Sequence, residues 1–253
     1  MAGSFDLTGR IAMVTGGNGG IGLGMAQGLA AAGARVVVVG RNAAKNAAAV
    51  ERLGGGSFAI TADLVEREAG ARVIGEALAQ TDGRLDILVN NAGTNIRRLP
   101  QEVTDEDWAT VLDTNLTSVM RLTRAAYPAL KASGHGRVIC IGSMMSIFGL
   151  PLSPAYGASK GAIVQYTRSL AVAWGADGIT ANAILPVWIE TELTAGAKRD
   201  MPTLNDSVLA RTPQKRWGQP GDFAGLATFL ASDASAFITG TAIPVDGGLS
   251  VHG

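Results

Sequence analysis

The sequence of 253 residues lacks several features that mark particular classes of protein. It has one cysteine, so no disulfide bond can form within the chain. Its 21 Lys and Arg residues balance 21 Asp and Glu residues, and this zero net charge gives no electrostatic reason to expect nucleic acid or an anionic membrane as a partner. No apolar run is long enough to span a bilayer. With 47% hydrophobic and 17% charged residues, an ordinary globular protein is expected.

Metal ligands and export signals are equally scarce. The two histidines, His135 and His252, do not have metal-ligand spacing with Cys140, so we expect no metal site. Cys140 lies in the apolar segment RVICIG, which is typical of a buried strand. Residues 1–10 have neither the basic flank nor the apolar core of a signal peptide, and a cytoplasmic location is expected.

Apolar segments alternate with longer segments of helical pattern. IAMVT, RVVVVG and LDILVN are nearly continuous in Val, Ile and Leu, which is typical of parallel strands buried on both faces. Their alternation with helices, including a long one from about Asp105 to Lys131, predicts an α/β, doubly wound Rossmann fold with a central parallel sheet flanked by helices on both faces. No linker interrupts the chain. We therefore expect a single domain over residues 1–253, in which the less regular residues 187–219 form a substrate lid.

A glycine-rich segment, TGGNGGIG, follows the first predicted strand and opens a helix. Gly16, Gly20 and Gly22 allow a sharp turn and a close approach of the backbone to a pyrophosphate, which the helix N-terminus attracts. The alternative is a tight strand–helix turn without a ligand. The position of the segment inside a βαβ unit favours a dinucleotide site.

The end of the second strand bears on which dinucleotide is bound. The segment VVVVGRN carries Arg41 and no acidic residue, whereas a grip on an unphosphorylated ribose usually uses Asp or Glu. An arginine there can bind a 2′-phosphate or stack on adenine, or it can be a solvated residue at a helix start. NADP(H) is therefore favoured, and NAD(H) remains possible.

A tyrosine and a lysine open the helix of the segment SPAYGASKGAIVQYTRSL. Tyr156 and Lys160 are about one helical turn apart, so their side chains leave the same face of the helix. A lysine beside a tyrosine is a means of lowering a phenol pKa that is normally near 10. The pair predicts acid/base chemistry.

Together with NNAG (Asn90 to Gly93), Asn115, Ser143 and the C-terminal VDGG, these motifs make the sequence resemble the short-chain dehydrogenase/reductase family over essentially its whole length. The resemblance implies an NAD(P)-dependent oxidoreductase that interconverts a secondary alcohol and a ketone by hydride transfer. Tyr156 would move the proton. Lys160, with the oxidised nicotinamide nearby, would lower the pKa of Tyr156, and it would also hold the ribose hydroxyls. Ser143 would hydrogen-bond the substrate oxygen, and Asn115 would anchor a water relay or act only as a structural bridge.

The resemblance also implies roles for residues along the cofactor. Asp63 would accept a hydrogen bond from the adenine amino group, unless it is a helix cap, and Thr191 would contact the carboxamide. The cofactor-binding residues expected in this way are Gly16, Asn18, Gly20, Ile21, Gly22, Arg41, Asp63, Leu64, Asn90, Ala92, Gly93, Tyr156, Lys160, Pro186, Ile189 and Thr191.

The substrate pocket is expected from the segments after NNAG, between Ser143 and Tyr156, and after the sixth strand. Its predicted residues are Asn95, Met145, Leu152, Val187 and Trp188. Val187 stands where the family usually has glycine after proline, so either the pocket is reshaped in this branch of the family or the valine is an introduced substitution. Most of the pocket is apolar, whereas Arg97 and Arg98 are candidates to bind a carboxylate or sugar hydroxyls.

The substrate is inferred from longer resemblances. NNAGTNIRR, SMMSIFG and RTPQKRWGQPGDFAGLATFLAS are most similar to the gluconate/2-deoxygluconate dehydrogenase branch, followed by the 3-oxoacyl-carrier-protein reductases. A sugar acid, polyol or similar small hydroxy/keto compound is predicted, and ketoreductase activity on apolar cyclic or aryl ketones is the main alternative. A dinucleotide-binding pseudoenzyme would have lost the Tyr, Lys or Ser, and none is lost. The family also implies a homotetramer, paired through the helices beginning near Asp105 and Pro154.

Overall fold

A computed structural model describes residues 4–252. Its seven parallel strands form one sheet in the order β3-β2-β1-β4-β5-β6-β7. The strands are β1 (Ile11–Thr15), β2 (Arg35–Gly40), β3 (Phe58–Thr61), β4 (Ile87–Asn90), β5 (Arg137–Ile141), β6 (Thr180–Pro186) and β7 (Ala242–Val245).

Helices cover both faces of this sheet. The α-helices are α1 (Gly20–Ala31), α2 (Ala43–Leu53), α3 (Ala69–Gln80), α4 (Asp105–Leu112), α5 (Ser118–Ala132), α6 (Pro154–Trp174), α7 (Glu192–Asp200), α8 (Leu204–Arg211) and α9 (Ala224–Ala231). Helices α3, α5 and α6 pack on one face of the sheet, and α1, α2 and α9 pack on the other. The doubly wound Rossmann fold predicted from the sequence is thus confirmed.

The strands lack polar alternation because both of their faces are buried. In β1, Met13 belongs to the core beneath α3, α5 and α6, whereas its neighbours Ala12 and Val14 belong to the core beneath α1, α2 and α9. A polar side chain at any of these positions would be buried in an apolar layer without a hydrogen-bond partner, which would destabilise the fold. This two-sided burial explains the Val- and Ile-rich strands.

Strand order determines where a ligand can bind. β1 lies between β2 and β4. The connection that leaves β1 therefore runs towards one edge of the sheet, and the connection that leaves β4 runs towards the other. In open α/β sheets, such a reversal leaves a crevice outside the carboxyl ends of the strands. The glycine-rich turn after β1 and the start of α6 both lie at this edge.

Two segments differ from the sequence-based expectation. The long helix predicted from about Asp105 to Lys131 contains a π-helical turn at Asp113–Thr117, between α4 and α5. Within this region, the Ser118 hydroxyl donates to the Thr114 carbonyl at 2.7 Å, a back-bond that bends helices. Residues 187–219 were expected to be irregular, but they contain α7 and α8, which pack around the buried Trp217.

The described part of the chain lacks both a membrane-spanning helix and a metal-binding cluster. None of the helices within residues 4–252 has the length and apolarity needed to cross a membrane. Among the same residues, no group of three or more His, Cys, Asp or Glu side chains is placed to hold a metal ion.

Candidate active site

A cleft of about 560 Å³ lies along the carboxyl edge of the sheet. It runs from the ends of β2 and β3, past the N-terminus of α1, to α6 and the first turn of α7. Its lining includes the predicted cofactor and pocket residues Gly16, Asn18, Gly20, Ile21, Arg41, Asp63, Leu64, Ala92, Gly93, Asn95, Ser143, Met145, Tyr156, Lys160, Pro186, Val187, Trp188, Ile189 and Thr191. A single cleft therefore brings most of the predicted site together.

The glycine-rich turn leaves room for a ligand beside its backbone. Gly16 and Gly20 have positive φ angles of 63° and 51°, which residues with a Cβ rarely adopt. A Cβ at Gly19, the N-cap of α1, would meet nothing within 4 Å, so this turn is open towards the cleft. The first N–H groups of α1 are thereby free for an anion such as a pyrophosphate, which fits a dinucleotide.

Gly22 has a packing role instead. A Cβ there would lie 2.2 Å from the carbonyl oxygen of Gly16 and 2.4 Å from Asn91 Nδ2. Gly22 is buried in α1 and is not part of the cleft lining. It allows the helix to approach the turn closely, so its effect on a ligand is indirect.

The far end of the cleft carries an exposed cation. The side chain of Arg41 is 78% exposed, and its Nη1 lies 3.8 Å from Asp63 Oδ2. Asp63 Oδ1 accepts a hydrogen bond from the backbone N–H of Val65 at 3.1 Å. Because α3 begins only at Ala69, Asp63 is not its N-cap, and the capping alternative is wrong.

The two asparagines of NNAG occupy different places. Asn90 is buried in the sheet and donates to Thr123 Oγ1 at 2.9 Å, so it is not part of the cleft lining. Asn91 lines the cleft, and its Nδ2 donates to the carbonyl oxygen of Thr15 at 2.9 Å. Neighbouring residues at a strand end point in opposite directions, which is the signal that could have singled out Asn91.

Tyr156 and Lys160 project from the first turns of α6 into the cleft. Lys160 Nζ lies 5.6 Å from the centre of the Tyr156 ring and donates to the carbonyl oxygen of Ile141 at 2.7 Å. Ser143 follows β5, and its Oγ accepts a hydrogen bond from the N–H of Met145 at 3.1 Å. The three side chains predicted to be catalytic therefore share one end of the cleft.

Burial determines the acid/base properties of this end. Burial raises the pKa of Tyr156 above 10, and a hydrogen bond with Ser143 opposes part of that rise. Burial also lowers the pKa of Lys160 to about 8. The net shift of the Tyr156 pKa is therefore upward because burial dominates, and Lys160 Nζ donates to the Ile141 carbonyl rather than to the phenol.

Asn115 lies in the π-helical turn behind the residues that are predicted to be catalytic. Its Oδ1 accepts from the N–H of Thr94 at 2.8 Å, and its Nδ2 donates to the Thr94 carbonyl at 2.9 Å and to Ser159 Oγ at 3.0 Å. Asn115 is buried and is not part of the cleft lining. These contacts support the structural-bridge alternative, because they link the loop after β4 to α6.

At the predicted substrate end, one lining residue differs from the prediction. Leu150 lines the cleft, whereas the predicted Leu152 does not; its carbonyl instead accepts a hydrogen bond from the N–H of Arg98 at 3.0 Å. Arg98 also pairs with Asp107 at 3.3 Å. Arg97 belongs to the lining, so the structure distinguishes the two arginines.

Two further charged residues, Lys45 and Glu192, line the cleft and were not predicted. Lys45 Nζ lies 2.7 Å from both carboxylate oxygens of Glu192. Glu192 is the first residue of α7, after the N-cap Thr191. No motif marks this pair, because its formation depends on where α7 lies over the cleft.

Comparisons with known proteins agree with this geometry. A family model described as enoyl-(acyl carrier protein) reductase matches residues 16–250. The 2-dehydro-3-deoxy-D-gluconate 5-dehydrogenase of Bacillus subtilis (strain 168) is 40% identical over 249 residues, which cover 97% of this chain and 96% of that protein. A tropinone reductase homolog of Arabidopsis thaliana is 37% identical over 254 residues, covering 98% and 95%.

A solved structure extends the match to three dimensions. The gluconate 5-dehydrogenase from Burkholderia cenocepacia J2315, in complex with NADP and tartrate, has a TM-score of 0.92 and 38% identity, with 98% of each chain covered. The matches span nearly the whole length of this chain, including the segments that line the cleft. The chain therefore belongs to the short-chain dehydrogenase/reductase family, and it is an oxidoreductase of CH–OH and C=O groups.

Proposed function

We propose that this protein interconverts a secondary alcohol and a ketone with NADP(H), acting on a sugar acid, polyol or similar small hydroxy/keto compound. The observation that carries the proposal is the placement of Tyr156, Lys160 and Ser143 in the same cleft as the open glycine-rich turn of α1. A proton-transfer group and an anion-binding turn are thus joined by one continuous surface. Reduction of a carbonyl by a dinucleotide needs a bound hydride donor and a proton donor, which the turn and the tyrosine would supply.

The cofactor would be held by residues along the whole cleft. The backbone after Gly16 would bind the pyrophosphate, Arg41 the 2′-phosphate, and Asp63 with Leu64 the adenine. Ala92, Gly93, Lys160 and the segment around Thr191 would hold the nicotinamide half. When bound, the nicotinamide ring supplies or accepts the hydride.

The residues of the chain itself move the proton. Since the pKa of Tyr156 is raised, its phenol is protonated at neutral pH and can donate to the oxygen of a reacting carbonyl. Ser143 would hydrogen-bond that oxygen as charge develops on it. Lys160 would hold the ribose hydroxyls, with Asn115 fixing the loop and the helix on either side.

The substrate class is supported by polar groups in the cleft. Arg97 lines the cleft and can bind a carboxylate with its planar guanidinium. Asn95 donates to Ser153 Oγ at 3.0 Å, while its buried Oδ1 has no hydrogen-bond partner within residues 4–252 and is a suitable acceptor for a hydroxyl. Relatives named as gluconate dehydrogenases agree with such a substrate.

A reductase of apolar cyclic ketones is the second candidate. Met145, Leu150, Trp188 and Leu193 form an apolar wall at the substrate end of the cleft. The similarity to tropinone reductase homologs favours the same class. This wall can pack on a ring, whereas a sugar acid would leave much of it without apolar contact.

The experiment is a substrate panel with two arginine variants. NADPH oxidation is followed by absorbance with keto sugar acids, neutral cyclic or aryl ketones, and 3-oxoacyl thioesters. We expect the highest kcat/KM for a keto sugar acid. Arg97→Met should raise the KM for that acid, whereas Arg98→Met, which changes the same charge outside the cleft, should not. A preference for neutral ketones that Arg97→Met leaves unchanged would favour the second candidate.

The lid and the assembly complete the proposal. Residues 187–219 would act as a lid within a single domain, supported by the separate packing of α7 and α8 around Trp217. A homotetramer in the cytoplasm is proposed as well. The exposed Trp108 on α4 and Val172 on α6 support pairing through these helices, because both are apolar and face outward.

A further inference from the structure

An ion pair joins the two rims of the cleft. Lys45, on α2, lies beside the expected adenosine end, and Glu192 is the first residue of α7, the helix of the proposed lid. Lys45 Nζ is 2.7 Å from each carboxylate oxygen, and both residues line the cleft. A ligand in the cleft is therefore bounded by two walls that this pair connects.

The first turn of α7 is also tied on its other side. Arg97, in the loop after β4, donates from Nη2 to the carbonyl oxygen of Leu193 at 3.3 Å. Adjacent residues of the lid, Glu192 and Leu193, thus contact opposite rims of the cleft. The start of α7 therefore lies across the cleft rather than beside it.

The rest of the lid is anchored independently of Lys45. Lys198 Nζ lies 2.6 Å from Glu190 Oε1 and 4.0 Å from the centre of the Trp217 ring. Trp217 also donates to Asn205 Oδ1 at 3.1 Å. Loss of the Lys45–Glu192 pair would therefore free the adenosine-side rim without unfolding the lid.

We propose that Lys45 and Glu192 are positioning residues that form a clasp, which holds the start of α7 over a bound dinucleotide and slows its release. This inference rests on the proposed use of NADP(H) or NAD(H). The side chains are 48% and 86% exposed, so the pair is weak enough to open during each turnover. Charge screening by salt should weaken it further.

Binding of the 2′-phosphate by Lys45 is an alternative role that predicts different dissociation rates. If the ammonium instead leaves Glu192 to bind the 2′-phosphate, only NADPH is affected by its loss, because NADH has no such phosphate. Glu192→Gln would then release Lys45 to the phosphate and slow the release of NADPH. The clasp predicts that both dinucleotides leave faster from both variants.

The test is the dissociation rate of NADPH and of NADH, measured by stopped-flow fluorescence after displacement. We expect Lys45→Met and Glu192→Gln each to raise both rates about two- to fivefold, the range expected for an exposed ion pair. The double variant should be no faster than the singles, since the pair acts as one unit. High salt should accelerate release from the unsubstituted protein more than from the variants.

Lys131→Met is the matched control. Lys131 pairs with Asp177 at 2.7 Å and is 53% exposed, but it lies on α5 away from the cleft. Its loss changes the net charge equally and should leave both dissociation rates unchanged. Unchanged rates in Lys45→Met and Glu192→Gln, or an effect confined to NADPH, would overturn the clasp. Absence of saturable binding of either dinucleotide to the unsubstituted protein would instead refute the proposed function.

Discussion

The two ends of the cleft are built from different parts of the chain. The dinucleotide end is mostly backbone and short side chains at strand ends: the N–H of Gly16 donates to the Val39 carbonyl at 2.7 Å, and Thr15 Oγ1 accepts from the N–H of Asn91 at 2.9 Å. The substrate end is made by long side chains from loops, such as Met145 and Trp188. The first end is part of the sheet, and the second is attached to it.

Because of this difference, a substitution has different consequences at the two ends of the cleft. A Cβ added at Gly22 would strike the Gly16 carbonyl, so the dinucleotide end tolerates little variation. Met145 and the half-buried Val187 both pack at the periphery of a small core cluster and line the cleft, where a change of size leaves the strands in place. Cofactor use is therefore tied to the fold, whereas substrate choice can vary on the same scaffold.

The largest expected effect is at Tyr156, where the two ends meet. Tyr156→Phe keeps the ring and removes the hydroxyl, so turnover should fall about 10³-fold because the proton donor is lost. NADPH affinity should change little, since the phenol is not needed to bind the phosphates. Single-turnover kinetics and a fluorescence titration would measure the two quantities. Retained turnover would contradict the role of Tyr156, and an equal loss of affinity would show that the two ends are not separable.

The next effect is the pH dependence that buried Lys160 imparts. Its pKa is lowered from 10.5 to about 8, so between these pH values the unfolded chain binds more protons than the folded one. The free energy of unfolding should therefore rise with pH across this window, and the penalty for burying the charge is complete below pH 8. Relative to Lys160→Met, the rise should be roughly 3 kcal/mol from pH 8 to 10.5.

Urea unfolding of both proteins at several pH values would measure this difference. Comparison with Lys160→Met cancels the contributions of other groups, including Tyr166, whose pKa burial raises to about 12. A constant difference across the window would mean that Lys160 stays charged and stabilised in the fold. It would also weaken the link between burial and acid/base chemistry at this end.

A smaller effect is expected at the exposed end of the cleft. Arg41→Ala should weaken NADPH binding about tenfold, as expected for loss of a charge-assisted contact, and should leave NADH binding nearly unchanged. Arg52→Ala, at the exposed C-terminal end of α2, removes the same charge away from the cleft and serves as control. Parallel fluorescence titrations decide the matter, and equal losses for both dinucleotides would refute the phosphate role of Arg41.

The features of the site that can be predicted from the sequence differ in the same way from those that cannot. The strands and the glycine-rich turn could be predicted because two-sided burial and positive φ angles restrict residue type locally. It is harder to predict which side chains point into the cleft. Asn91 lines the cleft rather than Asn90, and Leu150 lines it rather than Leu152. Alternation at the strand end could have separated Asn91 from Asn90, whereas only the backbone path of the loop places Leu150 rather than Leu152 in the cleft.

Contacts that depend on the position of α7 could not be predicted from the sequence. The Lys45–Glu192 pair forms because α7 crosses the cleft, and no local pattern places that helix. The π-helical turn at Asn115 is a similar case, since a single asparagine inside a helical pattern does not specify an extra residue in the turn. Tertiary packing decides both features.

The smallest expected effect would sharpen the comparison at the substrate end. Val187 is half-buried and packs against the cluster that contains Met144, so Val187→Gly should enlarge the pocket beside Tyr156. We expect kcat/KM for bulky ketones to rise about fivefold relative to small ones, less than a rigid pocket would give, because the flexible Met145 can refill part of the space. NADPH affinity and the unfolding midpoint serve as controls. If affinity for NADPH falls as much as selectivity changes, Val187 belongs to the cofactor end, and the division between the two ends must be drawn beyond this residue.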